Sequence, residues 1–105
     1  MDCVFCKIVN WELSSNKVYE DDKYLAFENI NPEAKTHYLI IPKKHLESFH
    51  LLDDIEDLEL VKWCYDIAYK LIKQNNMKWA NLLINSWKEH GQEVFHIHLH
   101  LMSNL

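Results

Sequence analysis

From Phe95 to Leu101 the chain alternates strictly between apolar residues and histidines, Phe-His-Ile-His-Leu-His-Leu. Successive side chains of a β-strand point to opposite faces, so His96, His98 and His100 share one face. Phe95, Ile97, Leu99 and Leu101 take the other and read as a core face. The pattern predicts three imidazoles in a row, roughly 6–7 Å apart at Cα, on a strand anchored from behind. Histidines buried for structure alone would each need a polar partner. Solvated ones would have no reason to alternate so strictly. A metal site or a catalytic face accounts for the row better than chance does.

The length of 105 residues suits one domain, taken as residues 1–105, and is short for two. A hydrophobic fraction of 49% is enough for a real core. The net charge of −5 argues against nonspecific nucleic-acid binding, which needs a basic face to displace counterions. A phosphate ligand would then be held by local donors rather than by the overall field. No apolar run approaches the roughly 18 residues of a membrane span, and the N-terminus lacks a signal-peptide pattern. Three cysteines, an odd number, fit a reducing cytoplasm better than a disulfide framework.

Taken in order, Cys3 to Val9 opens the domain as a short helix or turn. Its Cys-x-x-Cys pair is ambiguous between zinc, redox chemistry and two packed thiols. Lys17 to Glu20 and Tyr24 to Phe27 read as a hairpin around Asp21-Asp22-Lys23. His37 to Ile41 is a β-prone run closed by Pro42. Residues from Asp53, a plausible N-cap, to Asn75 read as one long helix with Ile55, Leu58, Val61, Tyr65, Ala68, Leu71 and Ile72 as its core stripe. Leu60, Trp63 and Ile67 widen that apolar arc beyond what one sheet would cover, so a second partner is expected. Trp79 to Ile84 and Val94 to Met102 supply the last two strands. The expected architecture is α+β, a short N-terminal helix and an antiparallel sheet of about five strands covered by one long helix.

Several motifs together resemble the histidine triad (HIT) family. They are the His-x-His-x-His run, Gly91-Gln92-Glu93-Val94 before it, Asn85, Tyr19-Glu20-Asp21-Asp22, Leu25-Ala26-Phe27, and Thr36 to His45. The resemblance spans Cys3 to Met102 and looks most like the Hint-like branch, the purine nucleoside phosphoramidases. It implies His98 as a nucleophile forming a nucleotidyl-histidine intermediate, with His100 and His37 donating to phosphate and His96 beside them. Gln92 is expected to bind the leaving group or place a water. Phe5, Ile8, Phe27 and Ile30 match the family's purine pocket, and Asn29, Asn85 and Glu93 line the ribose and phosphate side. It also implies one structural zinc per chain, held by Cys3, Cys6, His45 and His96, and a homodimer.

The chain departs from the family pattern in places. Asn29 stands where an aspartate usually takes the ribose hydroxyls. Trp87 and His90 replace glycines that let backbone N–H groups approach phosphate. Glu93 replaces a hydroxyl donor with a carboxylate. The expected activity is hydrolysis or transfer on purine nucleoside phosphoramidates. The alternatives are a dinucleoside polyphosphate hydrolase, a hydrolase with a catalytic zinc on His96 and His98, and a nucleotide-binding or scaffold protein with little turnover.

Overall fold

The Asp21 carboxylate closes the first hairpin by accepting from the backbone N–H groups of Lys23 and Tyr24, each at 2.8 Å. In the computed structural model, which describes residues 3–104, this turn joins β1 (Lys17–Glu20) to β2 (Tyr24–Glu28). β3 is Thr36–Pro42, β4 is Asn81–Leu83 and β5 is Leu99–Ser103. The five strands form one antiparallel sheet in the order β1-β2-β3-β5-β4. A short helix α1 (Val4–Val9) precedes them, and α2 (Ile55–Lys62) and α3 (Cys64–Gln74) lie between β3 and β4. This is the expected α+β fold.

Alternation along the strands divides the core into two layers. Leu25, Phe27, Leu39 and Ile41 pack against Cys3, Phe5 and Ile8 of the α1 segment. On the other face Tyr24, Ala26, Ile40, Leu99 and Leu101 meet Cys64, Ile67, Ala68 and Leu71. The Tyr24 hydroxyl also donates to the Leu60 carbonyl at 2.6 Å, tying β2 to α2. Ile97, Leu99 and Leu101 are at most 1% exposed. Full burial of side chains of this size contributes about 2 kcal/mol each. The histidine segment is thus anchored from behind, as its alternation predicts.

The long helix differs from its expected form. Asp54, not Asp53, is the N-cap, its side chain accepting from the Glu56 N–H at 2.8 Å. Trp63 divides α2 from α3, and its carbonyl accepts from Asp66 at 3.1 Å in a tightened turn. The buried arc is centred on Val61, Cys64, Ala68 and Leu71 with Ile67 inside it, so Ile55 and Tyr65 face outward. Trp63, Tyr65 and Tyr69 are exposed, as are Leu82 and Leu83 on the edge strand β4.

The last strand is also shorter than its apolar–histidine pattern. Pro42 ends β3 without an N–H to offer. Upstream of Leu99 the pairing changes, with the Ile97 N–H donating to the Leu46 carbonyl at 2.7 Å. Phe95, expected in the core, is 36% exposed and packs its ring on Trp87 at 5.2 Å. Residues 94–98 therefore lie outside β5, their backbone tied to the 45–48 loop at Ile97 and the His96 side chain to Pro42 at the end of β3.

Candidate active site

The histidine row splits between two places. His96 is fully buried beside the cysteines of the α1 segment, its Nδ1 lying 3.4 Å from Cys3 Sγ and 3.6 Å from Cys6 Sγ. Its Nε2–H donates to the Pro42 carbonyl at 2.7 Å, which leaves the Nδ1 lone pair facing sulfur. His45 Nδ1 lies 3.4 Å from Cys6 Sγ. One ligand atom from each of Cys3, Cys6, His45 and His96 falls within 4.8 Å of the other three. Two thiols and two imidazoles converging on one point can coordinate a metal, and a backbone partner already orients one ring as metal-bound histidines require. Burial, followed by the hydrogen bond and charge of Cys3, pushes the Cys6 thiol up to about 11. Thiolates at such a position need a cation beside them.

His98 and His100 instead face a cavity of about 980 Å³. The His98 Nδ1–H donates to the His96 carbonyl at 2.7 Å, so its Nε2 carries the free lone pair. A second relay fixes the other two rings. The Glu33 backbone N–H donates to His37 Nδ1 at 3.0 Å, which places the His37 proton on Nε2. That proton is donated to His100 Nδ1 at 2.8 Å, leaving His100 with its proton on Nε2. Among the described residues this His100 Nε2 is buried with no hydrogen-bond partner. The His98 and His100 ring centroids are 4.8 Å apart. A nucleophilic nitrogen and a donor N–H therefore stand side by side, and the donor lacks an acceptor.

All three rings on the cavity are held neutral. Burial lowers His37 and His98, and burial followed by repulsion from His98 and His37 lowers His100 to about 4. The cavity wall also carries Phe5, Ile8, Phe27 and Ile30, with Asn29, Asn85 and Glu93 at its polar side. The Phe5 ring is 5.1 Å from His98 and 5.4 Å from Phe27. Ile30 is 91% exposed, an open wall rather than a packed one. Asn29 Nδ2 lies 3.3 Å from His37 Nε2.

Two expected site residues are not on the cavity, namely His96, taken up by the cysteines, and Gln92. The Gln92 Oε1 accepts from the Ser48 hydroxyl at 2.7 Å and the Trp87 N–H at 2.8 Å. Its Nε2 donates to the carbonyls of Glu47 at 2.6 Å and Val94 at 3.1 Å. That uses its whole hydrogen-bonding capacity, so in this structure Gln92 holds the loop. The loop needs holding because Trp87 sits at φ 83°, a region that favours glycine. Sequence reasoning missed Ser48, 1% exposed, because a serine 44 positions from its glutamine carries no local signal.

These burial shifts set a pH dependence. A histidine with a folded-state pKa below its unfolded value of about 6.5 binds fewer protons folded than unfolded. For His100 the stability is fully present above pH 6.5 and is lost as pH falls towards about 4, where the folded ring protonates too. The urea midpoint should fall across that window, and His100→Gln should make the fall shallower. An unchanged profile would mean that His100 stays solvated.

Comparisons with known proteins bear on the family and the fold. A profile of the HIT domain matches residues 10–104. An uncharacterised HIT-like protein of Borreliella burgdorferi is 46% identical over 103 residues, covering 96% of this chain and 74% of that one. A HIT family hydrolase of Legionella pneumophila superposes with a TM-score of 0.92 at 40% identity, over 99% of this chain and 94% of that one. A histidine triad protein of Clostridium difficile gives 0.92 at 39% identity, over 98% and 90%. With a matching profile over nearly its whole length, the chain belongs to the HIT family.

Proposed function

We propose that this chain is a nucleotide-binding HIT protein that retains slow nucleotidyl-transfer chemistry on His98, most similar to the Hint-like branch. The observation that carries the reading is the orphaned Nε2–H of His100 beside the open Nε2 of His98. A phosphoryl oxygen would satisfy that donor and put phosphorus within reach of the nucleophile. Donors aimed where charge develops are worth more in a site that excludes water. A purine would lie between the aromatic and aliphatic walls of Phe5, Ile8, Phe27 and Ile30, with Asn29 and Asn85 near ribose and phosphate.

Each turn of the reaction has two displacements. The His98 Nε2 lone pair bonds to phosphorus, and the leaving amine departs with the old bond's electrons and takes a proton from solvent. Water then bonds to phosphorus, releases its proton to solvent and returns the pair to Nε2. The proton stays on His98 Nδ1, hydrogen-bonded to the His96 carbonyl, throughout. Slow turnover follows from the loop, where Gln92 is committed to backbone and Trp87 stands in a position suited to glycine. Glu93 on the cavity wall would repel a polyphosphate and tolerate an amine, favouring phosphoramidates over dinucleoside polyphosphates.

The Cys3, Cys6, His45 and His96 set is suited to a structural zinc, since four protein ligands close a tetrahedral site. When bound, zinc would supply folding energy and a fixed His96. A homodimer would cover Trp63, Tyr65, Tyr69, Leu82 and Leu83, all exposed. The free thiols of Cys3, Cys6 and Cys64 are in keeping with a cytoplasmic setting. Among the described residues no helix is long and apolar enough to cross a membrane.

On an adenosine or guanosine phosphoramidate, turnover should fall below the roughly 10 per second of a typical enzyme. His98→Ala should lower it at least about 100-fold further with nucleotide affinity retained, and acid quench of the wild type should trap a nucleotide on His98. A His98→Ala protein at the wild-type rate would sink the mechanism. Elemental analysis should find one zinc per chain, with Cys6→Ser losing it along with thermal stability. Protein purified metal-free yet equally stable would return the cysteines to ordinary packing. Sedimentation at micromolar concentration should show a dimer, and a monomer alone would refute the interface.

A further inference from the structure

We infer that the part of the cavity wall formed by Glu28, Asn16 and Ser15 reads the base and selects guanine over adenine. The inference rests on the nucleotide site proposed above and names the base it takes.

The histidines and these residues line one cavity. Asn29 is 3.3 Å from His37 and is followed back along the chain by Glu28, which also lines the cavity. The Glu28 N–H donates to the Asn16 carbonyl at 2.9 Å, bringing the 13–16 segment against the end of β2. With phosphorus at His98 and the base against Phe5 and Phe27, which line the same cavity as this segment, the purine edge would be presented to it.

The hydrogen-bonding groups there form a directional pattern. The Asn16 side-chain amide donates one Nδ2–H to Glu28 Oε2 at 3.0 Å, which holds the carboxylate with acceptor capacity to spare, and keeps its own Oδ1 and second N–H. The carboxylate can only accept. The Ser15 hydroxyl lines the same cavity and is buried without a partner among the described residues. It can donate. Guanine presents one acceptor, O6, followed by two donors, N1–H and N2–H, along one edge. One donor and an acceptor-rich carboxylate match that order. Adenine sets an unprotonated N1 against the carboxylate, leaving two acceptors face to face. A matched bidentate contact should discriminate between the two bases by about tenfold.

The experiment is a calorimetric titration of the full chain with GMP, IMP and AMP. GMP should bind about tenfold tighter than AMP, with IMP, which keeps O6 and N1–H but lacks the amino group, between them. In Glu28→Gln the side chain offers one donor and one acceptor, adenine's own pattern, so the GMP to AMP ratio should collapse or invert. Glu28 is exposed at a strand end, so this variant tests recognition rather than folding. Ser15→Ala should weaken GMP and IMP more than AMP. Equal wild-type affinities for GMP and AMP, or a ratio untouched by Glu28→Gln, would overturn the base assignment while leaving the nucleotide site standing. No binding of any of the three would overturn both.

Discussion

The 2.7 Å bond from His98 Nδ1–H to the His96 carbonyl is the contact on which the cavity's chemistry depends. An imidazole with a free choice of tautomer divides its time between two nitrogens, only one of which faces a ligand. Here the carbonyl that makes the choice belongs to a residue held on its other side by Pro42 and by the cysteine cluster. The alternating pattern therefore does two jobs. Ile97, Leu99 and Leu101 sink one face into the helices, and the histidines opposite them are passed in order to a metal-competent cluster and then to the cavity.

The His37–His100 relay has the same logic from the other end. A backbone N–H at Glu33 sets His37, His37 sets His100, and the last proton is left without an acceptor. Burial keeps these rings neutral, so binding an anion does not depend on a fixed positive charge. In a chain of net charge −5, phosphate recognition by oriented N–H groups is the available route. On the proposed reading it would also make the cavity selective, since dipoles discriminate by geometry where a lysine would attract any anion.

Much of this was legible in the sequence, and the failures have physical reasons. Strict alternation fixes the two faces of a strand, so the core side of 97–101 and the shared face of the histidines were readable. The hairpin was readable because Asp21 makes its own turn. The helix stripe was misplaced because Ile55 and Tyr65 fit helical spacing as well as Cys64 and Ile67 do, and only the sheet's position decides between them. The start of β5 was misjudged because pattern does not say where pairing with a neighbouring strand stops, and pairing with β3 stops at Ile40 and Leu99. The partners that hold Gln92 in this structure, Ser48 and the Glu47 carbonyl, lie 44 and 45 residues away. Long-range partners of a polar side chain leave no local trace. The same holds for Ser15, Asn16 and Glu28, which come together only through the β1–β2 register.

Because the account turns on which ring nitrogens carry protons, long-range nitrogen–proton NMR of ring-labelled protein at neutral pH tests it most directly. His98 should be protonated on Nδ1 and bare on Nε2, and His100 should carry its proton on Nε2. Phosphate or nucleotide should then shift the His100 Nε2–H resonance first. A His98 ring protonated on Nε2, or on both nitrogens at pH 7, would contradict the relay and with it the nucleophile.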